Sequence, residues 1–345
     1  MRTVELGTGG IAVSEWSLGT MTYGNQTPLD DALRQMDMAL DAGVTFWDCA
    51  EMYPVNPVTA ETAGRSEAYL GEWLSGRGQR GKVQIATKVA GPDNVIRGKR
   101  AFDASVVAEA VTASLRRLQT DHIDLYQIHW PARGTYAFRR NWGYDPSAQD
   151  AATTLALMDD VLGTLAREVE AGRIRAFGLS NETAWGTTRW IDRAALTGGP
   201  RVASVQNEYS LLCRLYDTDM AEMAVNEGVT LLAFSPLAAG FLTGKYQDGV
   251  PPDSRMSLLP EMGGRNSPRV RAAAAAYLGI AQRHGLDPVH MAMAWHRTRP
   301  FPSIPIFGAT TTDQLARILA GTGVILSAEV LAEIADAHRS HPMPY

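Results

Sequence analysis

Eight short apolar runs, rich in β-branched and aromatic residues, recur along this chain with helix-patterned segments between them. They fall at 15–19, 44–48, 83–88, 124–129, 176–180, 204–208, 229–235 and 303–307. From Asp103 to Gln119, for example, Val107, Val111, Leu115 and Leu118 share one helical face behind Asp103, an acidic N-cap. Strands that alternate with helices pair in parallel through crossover connections. Eight such units are the count of a (β/α)8 TIM barrel, an α/β fold.

The chain has 345 residues, more than the ~250 typical of such a barrel, so the surplus must sit in insertions. The opening VELGTGGIAVS reads as a β-hairpin turning at Gly9–Gly10, placed to plug the N-terminal end of the barrel. Long loops follow the fourth strand (131–150) and the seventh (236–268), and a helical extra runs from Leu326 to Arg339. Both loops leave strand C-termini, the face on which barrel active sites are built. No linker or composition break divides the chain, so one domain over 1–345 is expected.

Lysine plus arginine (32) against aspartate plus glutamate (37) gives a net charge of -5, which argues against a nucleic-acid partner. The basic cluster Arg97, Lys99 and Arg100 reads as a solvated loop. Cys49 and Cys213 are too few for a disulfide framework, and no Cys/His zinc spacing occurs. With no apolar run of membrane-spanning length and no apolar leader, the sequence predicts a cytoplasmic protein without a membrane partner.

Four polar residues stand out by position. Asp48 ends the second strand, Tyr53 follows five residues later, Lys88 ends the third strand and His129 the fourth. Neighbouring strand ends of a closed barrel share one rim, so all four are expected to converge there. Such a set suits proton transfer from a phenol. Free tyrosine titrates near ~10, and bringing it to about 7 requires about 4 kcal/mol, which an ammonium ~4 Å away supplies at an effective dielectric of ~20. Lys88 would tune Tyr53, Asp48 would orient Lys88, and His129 would hydrogen-bond a substrate oxygen or relay a proton.

A tyrosine acid with no nucleophile or metal beside it needs an electron source, and a hydride carrier fits. No G-x-G-x-x-G turn links a strand to a helix. Instead Ser180, Asn181 and Gln206 offer hydrogen bonds suited to a carboxamide, and Phe234 offers a flat face for a nicotinamide. Thr310, Thr311 and Thr312 open a helix whose N-terminus suits a phosphate, and Lys245 and Arg255 add positive charge. The same residues also suit ordinary caps and loops.

Taken in order, LGTMTYG (18–24), TFWDCAEMY (45–53), IATKV (85–89), LYQIHWP (125–131), GLSNET (178–183), QNEYSLL (206–212), FSPLAAGFLTGKY (234–246) and FGATTTDQL (307–315) resemble the aldo-keto reductase superfamily over essentially the whole chain. Within it the sequence is most similar to bacterial Tas-like NADP(H)-dependent aldo-keto reductases, and more distantly to potassium-channel β-subunits. The resemblance implies reduction of aldehydes or ketones with NADPH, NADH being less favoured, and a catalytic tetrad of Asp48, Tyr53, Lys88 and His129. It implies nicotinamide contacts from Thr20, Met21, Ser180, Asn181, Gln206 and Phe234. A loop containing Ser235, Pro236, Leu237 and Gly240, with Lys245 and Arg255, would fold over the pyrophosphate and ribose. Gly308, Thr310 and Gln314 would meet the 2′-phosphate end. Where the family commonly carries Glu-Asn shortly after the position of Gln314, this chain has Arg317 and Ile318. Arg317 would then stack on adenine or meet the 2′-phosphate.

Three other readings stay open. Lys88 at a strand end also suits a Schiff-base lyase. The channel β-subunits suggest a cofactor-sensing module in which hydride transfer is secondary, although those proteins commonly carry Asn where this chain has His129. His338-x-x-His341 has metal-like spacing but no further ligands. The substrate is expected to be a small carbonyl compound, with loop 131–150 (Tyr136, Phe138, Arg139, Arg140, Trp142, Tyr144) as pocket, packing or oligomer contact.

Overall fold

The computed structural model describes residues 1–98 and 100–345, so Lys99 of the basic cluster lies outside the described residues. Two strands, β1 (Thr3–Leu6) and β2 (Ile11–Ser14), form an antiparallel hairpin. Eight more, β3 (Ser17–Gly19), β4 (Phe46–Asp48), β5 (Gln84–Val89), β6 (Ile123–Ile128), β7 (Ile174–Ser180), β8 (Val202–Glu208), β9 (Thr230–Phe234) and β10 (Ser303–Phe307), close into a parallel barrel in sequence order, with β10 pairing back to β3. Each lies within or overlaps a run read from the sequence. β3 and β4 are only three residues long.

Helices return the chain between strands: α1 (Leu29–Asp41), α2 (Arg65–Arg77), α3 (Ala104–Leu118), α4 (Ala151–Glu170), α5 (Ala184–Thr197) and α6 (Asp219–Glu227). Asp103 caps α3 as expected, its carboxylate accepting from the Val106 amide at 2.9 Å. Between β9 and β10 come a one-turn α7 (Arg255–Leu258) and two packed helices, α8 (Pro268–Arg283) and α9 (Pro288–Trp295). α10 (Thr312–Leu319) completes the ring, and α11 (Ala328–Ser340) packs on α8. Among the described residues no helix is long and apolar enough to cross a membrane.

The hairpin closes the N-terminal end of the barrel. Leu6, Ile11 and Val13 form one buried cluster with the inward residues Phe46, Ala86, Leu125, Leu232, Ile304 and Ile306. Its turn starts at Gly7 (φ +62), where a Cβ would lie 2.7 Å from the Ala203 carbonyl oxygen; only glycine lets the backbone come this close. With that end filled, the C-terminal rim is where polar side chains gather.

Candidate active site

Strand register builds the site. Asp48 is the last residue of β4 and pairs with Ala86, while Lys88 pairs with Gln127 across β5 and β6. Lys88 is fully buried, and its Nζ lies 2.6 Å from Asp48 Oδ2, 2.7 Å from the Cys49 carbonyl oxygen and 3.5 Å from Tyr53 Oη. The rings of Tyr53 and His129 meet edge to face, 5.8 Å between centroids. All four rim residues therefore meet, and both rings keep a small exposed edge, 8% for Tyr53 and 9% for His129.

The electrostatics differ from the sequence-based expectation of a tyrosine brought near neutrality. Burial pushes the Tyr53 phenol up to about 12, and the downward pull of Lys88 does not offset it. The reason is local. The Lys88 charge is matched by Asp48 at 2.6 Å, and the Asp48 carboxylate itself raises Tyr53. Burial opposes the charge on Lys88, but Asp48 and its other neighbours hold the ammonium above its ordinary value. His129 is driven well below the usual imidazole range, by burial first and then by Lys88. The site thus presents a neutral phenol and a neutral imidazole. His129 Nδ1 is buried without a hydrogen-bond partner.

Of the residues expected to meet a carboxamide, Gln206 is committed elsewhere. Its Nε2 donates to Asp48 Oδ1 at 2.8 Å and to Gln127 Oε1 at 3.2 Å. Gln127, which the sequence reading passed over, also donates to Asp48, at 3.2 Å. Its inward position two residues before His129 was the available signal. Ser180 donates to the Gln206 carbonyl at 2.9 Å, and Asn181 (φ 56), the residue after β7, has its Nδ2 2.9 Å from the His129 carbonyl. Thr20 is fully buried, its hydroxyl bridging the Asp48 carbonyl and Ser66 Oγ, so it braces the floor rather than lining a pocket. Met21 and Phe234 are half-buried.

Beyond β9 the backbone is held in left-handed turns at Ser235, Ala238, Ala239 and Gly240 (φ 55, 49, 54 and 101). Non-glycine residues adopt these angles mainly where function or close packing demands it. Pro236 is buried, Leu237 half-buried and Lys245 exposed. Arg255 opens α7, and burial followed by neighbouring Arg265 holds its guanidinium below its ordinary value. Gly308 and Gln314 are exposed around the start of α10, where Gln314 Oε1 accepts from the Thr310 amide at 3.1 Å and Thr311 caps the helix. The charge and turns of this rim fit an anionic dinucleotide. Arg317 forms an ion pair with Asp287 at 2.8 Å and donates to the Thr243 carbonyl. Ile318 is buried in the core.

One further correction concerns a basic residue. Arg97, expected in solvent, grips the buried carboxylate of Glu51 with both terminal nitrogens and is itself only 13% exposed. Arg100 does face solvent, paired with Glu109. In loop 131–150, Trp142 and Phe138 are exposed, Tyr136 packs edge to face on Tyr144, and Arg139 turns inward. A cavity opens beside this loop, lined by Tyr136, Phe138, Arg139, Asn181, Asn207 and Tyr345 among others. No group of three or more His, Cys, Asp or Glu side chains able to hold a metal is found among the described residues.

A closed parallel barrel of eight strands alternating with helices defines the TIM-barrel class. Residues 15–339 match the aldo/keto reductase family, and the chain belongs to it. It is 44% identical to "Protein tas" of Escherichia coli (strain K12) over 339 residues, 97% of this chain and 96% of that protein. It is 30% identical to the "Probable voltage-gated potassium channel subunit beta" of Arabidopsis thaliana, covering 99% and 98%. To "Norsolorinic acid reductase stcV" of Emericella nidulans the identity is 25%, covering 95% and 79%.

Proposed function

We propose that this protein is an NADPH-dependent carbonyl reductase acting on a small aldehyde or ketone in the cytoplasm. The observation that carries the reading is the fully buried Lys88, whose ammonium joins Asp48 at 2.6 Å and Tyr53 at 3.5 Å beside a neutral His129. When bound, NADPH supplies a hydride to the carbonyl carbon. Tyr53 gives its proton to the carbonyl oxygen, Lys88 stabilises the phenolate left behind, and Asp48 keeps Lys88 charged and in place. His129 offers a neutral hydrogen bond to the same oxygen. Gln127 and Gln206 hold Asp48 from the far side.

For the cofactor, Phe234 would lie under the nicotinamide, with Ser180, Asn181 and Met21 beside it. Ser235 to Gly240, Lys245 and Arg255 would line the phosphates, and Gly308, Thr310 and Gln314 the 2′-phosphate end. Arg317 would act at one remove, since its charge is already matched by Asp287.

The test is a panel of aldehydes and ketones with NADPH and with NADH, on wild type beside Tyr53→Phe. General acid catalysis is typically worth ~10²–10⁴ in rate. Tyr53→Phe is expected to lose at least about 10² in kcat while its cofactor affinity stays as in wild type. A Tyr53→Phe enzyme that still turns over would remove the phenol from its role. NADPH bound without turnover of any carbonyl would favour the sensing module suggested by the channel-subunit relative.

A further inference from the structure

One buried carboxylate on the rim has no part in this chemistry. Glu208 ends β8 with its side chain 9% exposed, and it draws partners from three separate segments. Its Oε2 lies 2.6 Å from Arg139 Nη1; its Oε1 accepts from Arg265 Nε at 2.7 Å and from the Tyr345 hydroxyl at 3.1 Å. Arg139 belongs to the loop after β6, which walls the cavity beside Asn181. Arg265 belongs to the loop after β9, the one that carries Lys245 and Arg255.

Backbone contacts reinforce this joint. Arg139 Nε donates to the Gly263 carbonyl, and Arg265 Nη1 donates to the Met262 carbonyl at 3.1 Å. On both sides the chain is wound left-handed, at Phe138 and Arg139 (φ 58 and 65) and at Met262, Gly263 and Gly264 (φ 53, 61 and 87). Three of these five are not glycine, and such conformations persist only where their surroundings over-determine them. At Gly263 a Cβ would press on Arg139 Nη2 at 3.2 Å, so a side chain there would crowd the joint itself.

The charges make the joint conditional. Two guanidinium groups, 15% and 9% exposed, share one carboxylate. Without the Glu208 charge they would face each other in a poorly solvated space and drive the two loops apart. We infer that Glu208 is a positioning residue that fastens the substrate-side loop to the cofactor-side loop, so that each is ordered only while the other is in place. The roles given to the two loops rest on the proposed function; the fastening itself does not. Its consequence is that cofactor binding, by settling loop 236–268, also sets the wall of the substrate cavity.

Hydrogen exchange on the cofactor-free protein tests the fastening, comparing wild type with Arg139→Ala and Glu208→Gln. In Arg139→Ala, amides at 259–267 are expected to exchange at least ~10-fold faster although the substitution lies in the other loop, while β5 and α3 keep wild-type protection. NADPH titration followed by fluorescence should then show a Kd raised at least ~5-fold. Unchanged exchange at 259–267 in Arg139→Ala overturns the inference. So does a rise spread evenly through the barrel strands, which would mark Arg139 as a general stability residue. A wild-type protein that binds no NADPH counts against the proposed function and leaves the exchange result to decide the fastening.

Discussion

While burial fixes the protonation states of Tyr53 and His129, Lys88 is the buried charge around which the proposed chemistry is arranged. Its position was legible in the sequence because an ionisable residue at the C-terminal end of a β-rich run must find a partner, and the neighbouring run supplied Asp48. The direction of the tyrosine's shift was not legible. It depends on how completely the ring is buried and on how far Asp48 cancels the ammonium, and both follow from three-dimensional packing. With the phenol pushed up to about 12, Tyr53 keeps its proton throughout the neutral range. With His129 held well below 6.5, the imidazole is uncharged there as well. The kcat/KM for carbonyl reduction is therefore expected to be flat from pH 6.5 to about pH 9, which a pH profile on any accepted aldehyde would measure. A limb titrating near 7 would instead restore the sequence-based picture of a tuned tyrosine. Gln127 and Gln206 illustrate a second limit at this scale. Only the register of β6, β7 and β8 shows that both amides reach the same carboxylate oxygen.

At the scale of elements, the strands were readable because a fully buried parallel strand has to be a short apolar run, whatever surrounds it. Loops carry no such constraint, and their anchors come from residues far apart in sequence. Arg97 shows the consequence: a basic cluster resembles a solvated loop until Glu51, 46 residues earlier, is seen to take it in. Glu51 lies two residues before Tyr53, and its Oε1 also accepts from the Ala90 amide at 2.7 Å. The pair therefore ties the loop bearing the phenol to the loop after β5. Removing one partner of a buried ion pair typically costs ~3–5 kcal/mol because the other charge is stranded. Arg97→Ala should lose about 3 kcal/mol in urea unfolding, and pairing it with Glu51→Gln should restore part of that loss. If Arg97→Ala matches wild type, the residue is as solvated as its sequence context suggests.

For the molecule as a whole, the barrel, its hairpin plug and its two long rim loops share a stability that responds to pH through histidines buried uncharged. His296, 2% exposed near the start of β10, is lowered from 6.5 to about 3, by burial first and then by Arg299, and His129 is lowered for a similar reason. Between the folded value and 6.5 the unfolded chain binds a proton that the folded chain refuses, so stability falls as pH drops through 6.5. At pH 5 the loss is about 1.5 pH units times ~1.4 kcal/mol, or about 2 kcal/mol for His296. The carboxylates held low act in a different window. Glu15, Asp37 and Asp287 are lowered from 4.5, 3.8 and 3.8, so their contribution is present above those values and is lost only as pH falls below them. Between pH 5 and 7 the histidines should therefore govern the slope. Denaturant unfolding at about pH 7 and pH 5 is expected to show a drop in wild type that shrinks by about 2 kcal/mol in His296→Gln. An equal drop in both proteins would mean that His296 takes up its proton without opening the fold, and that the interior behind β10 admits a charge.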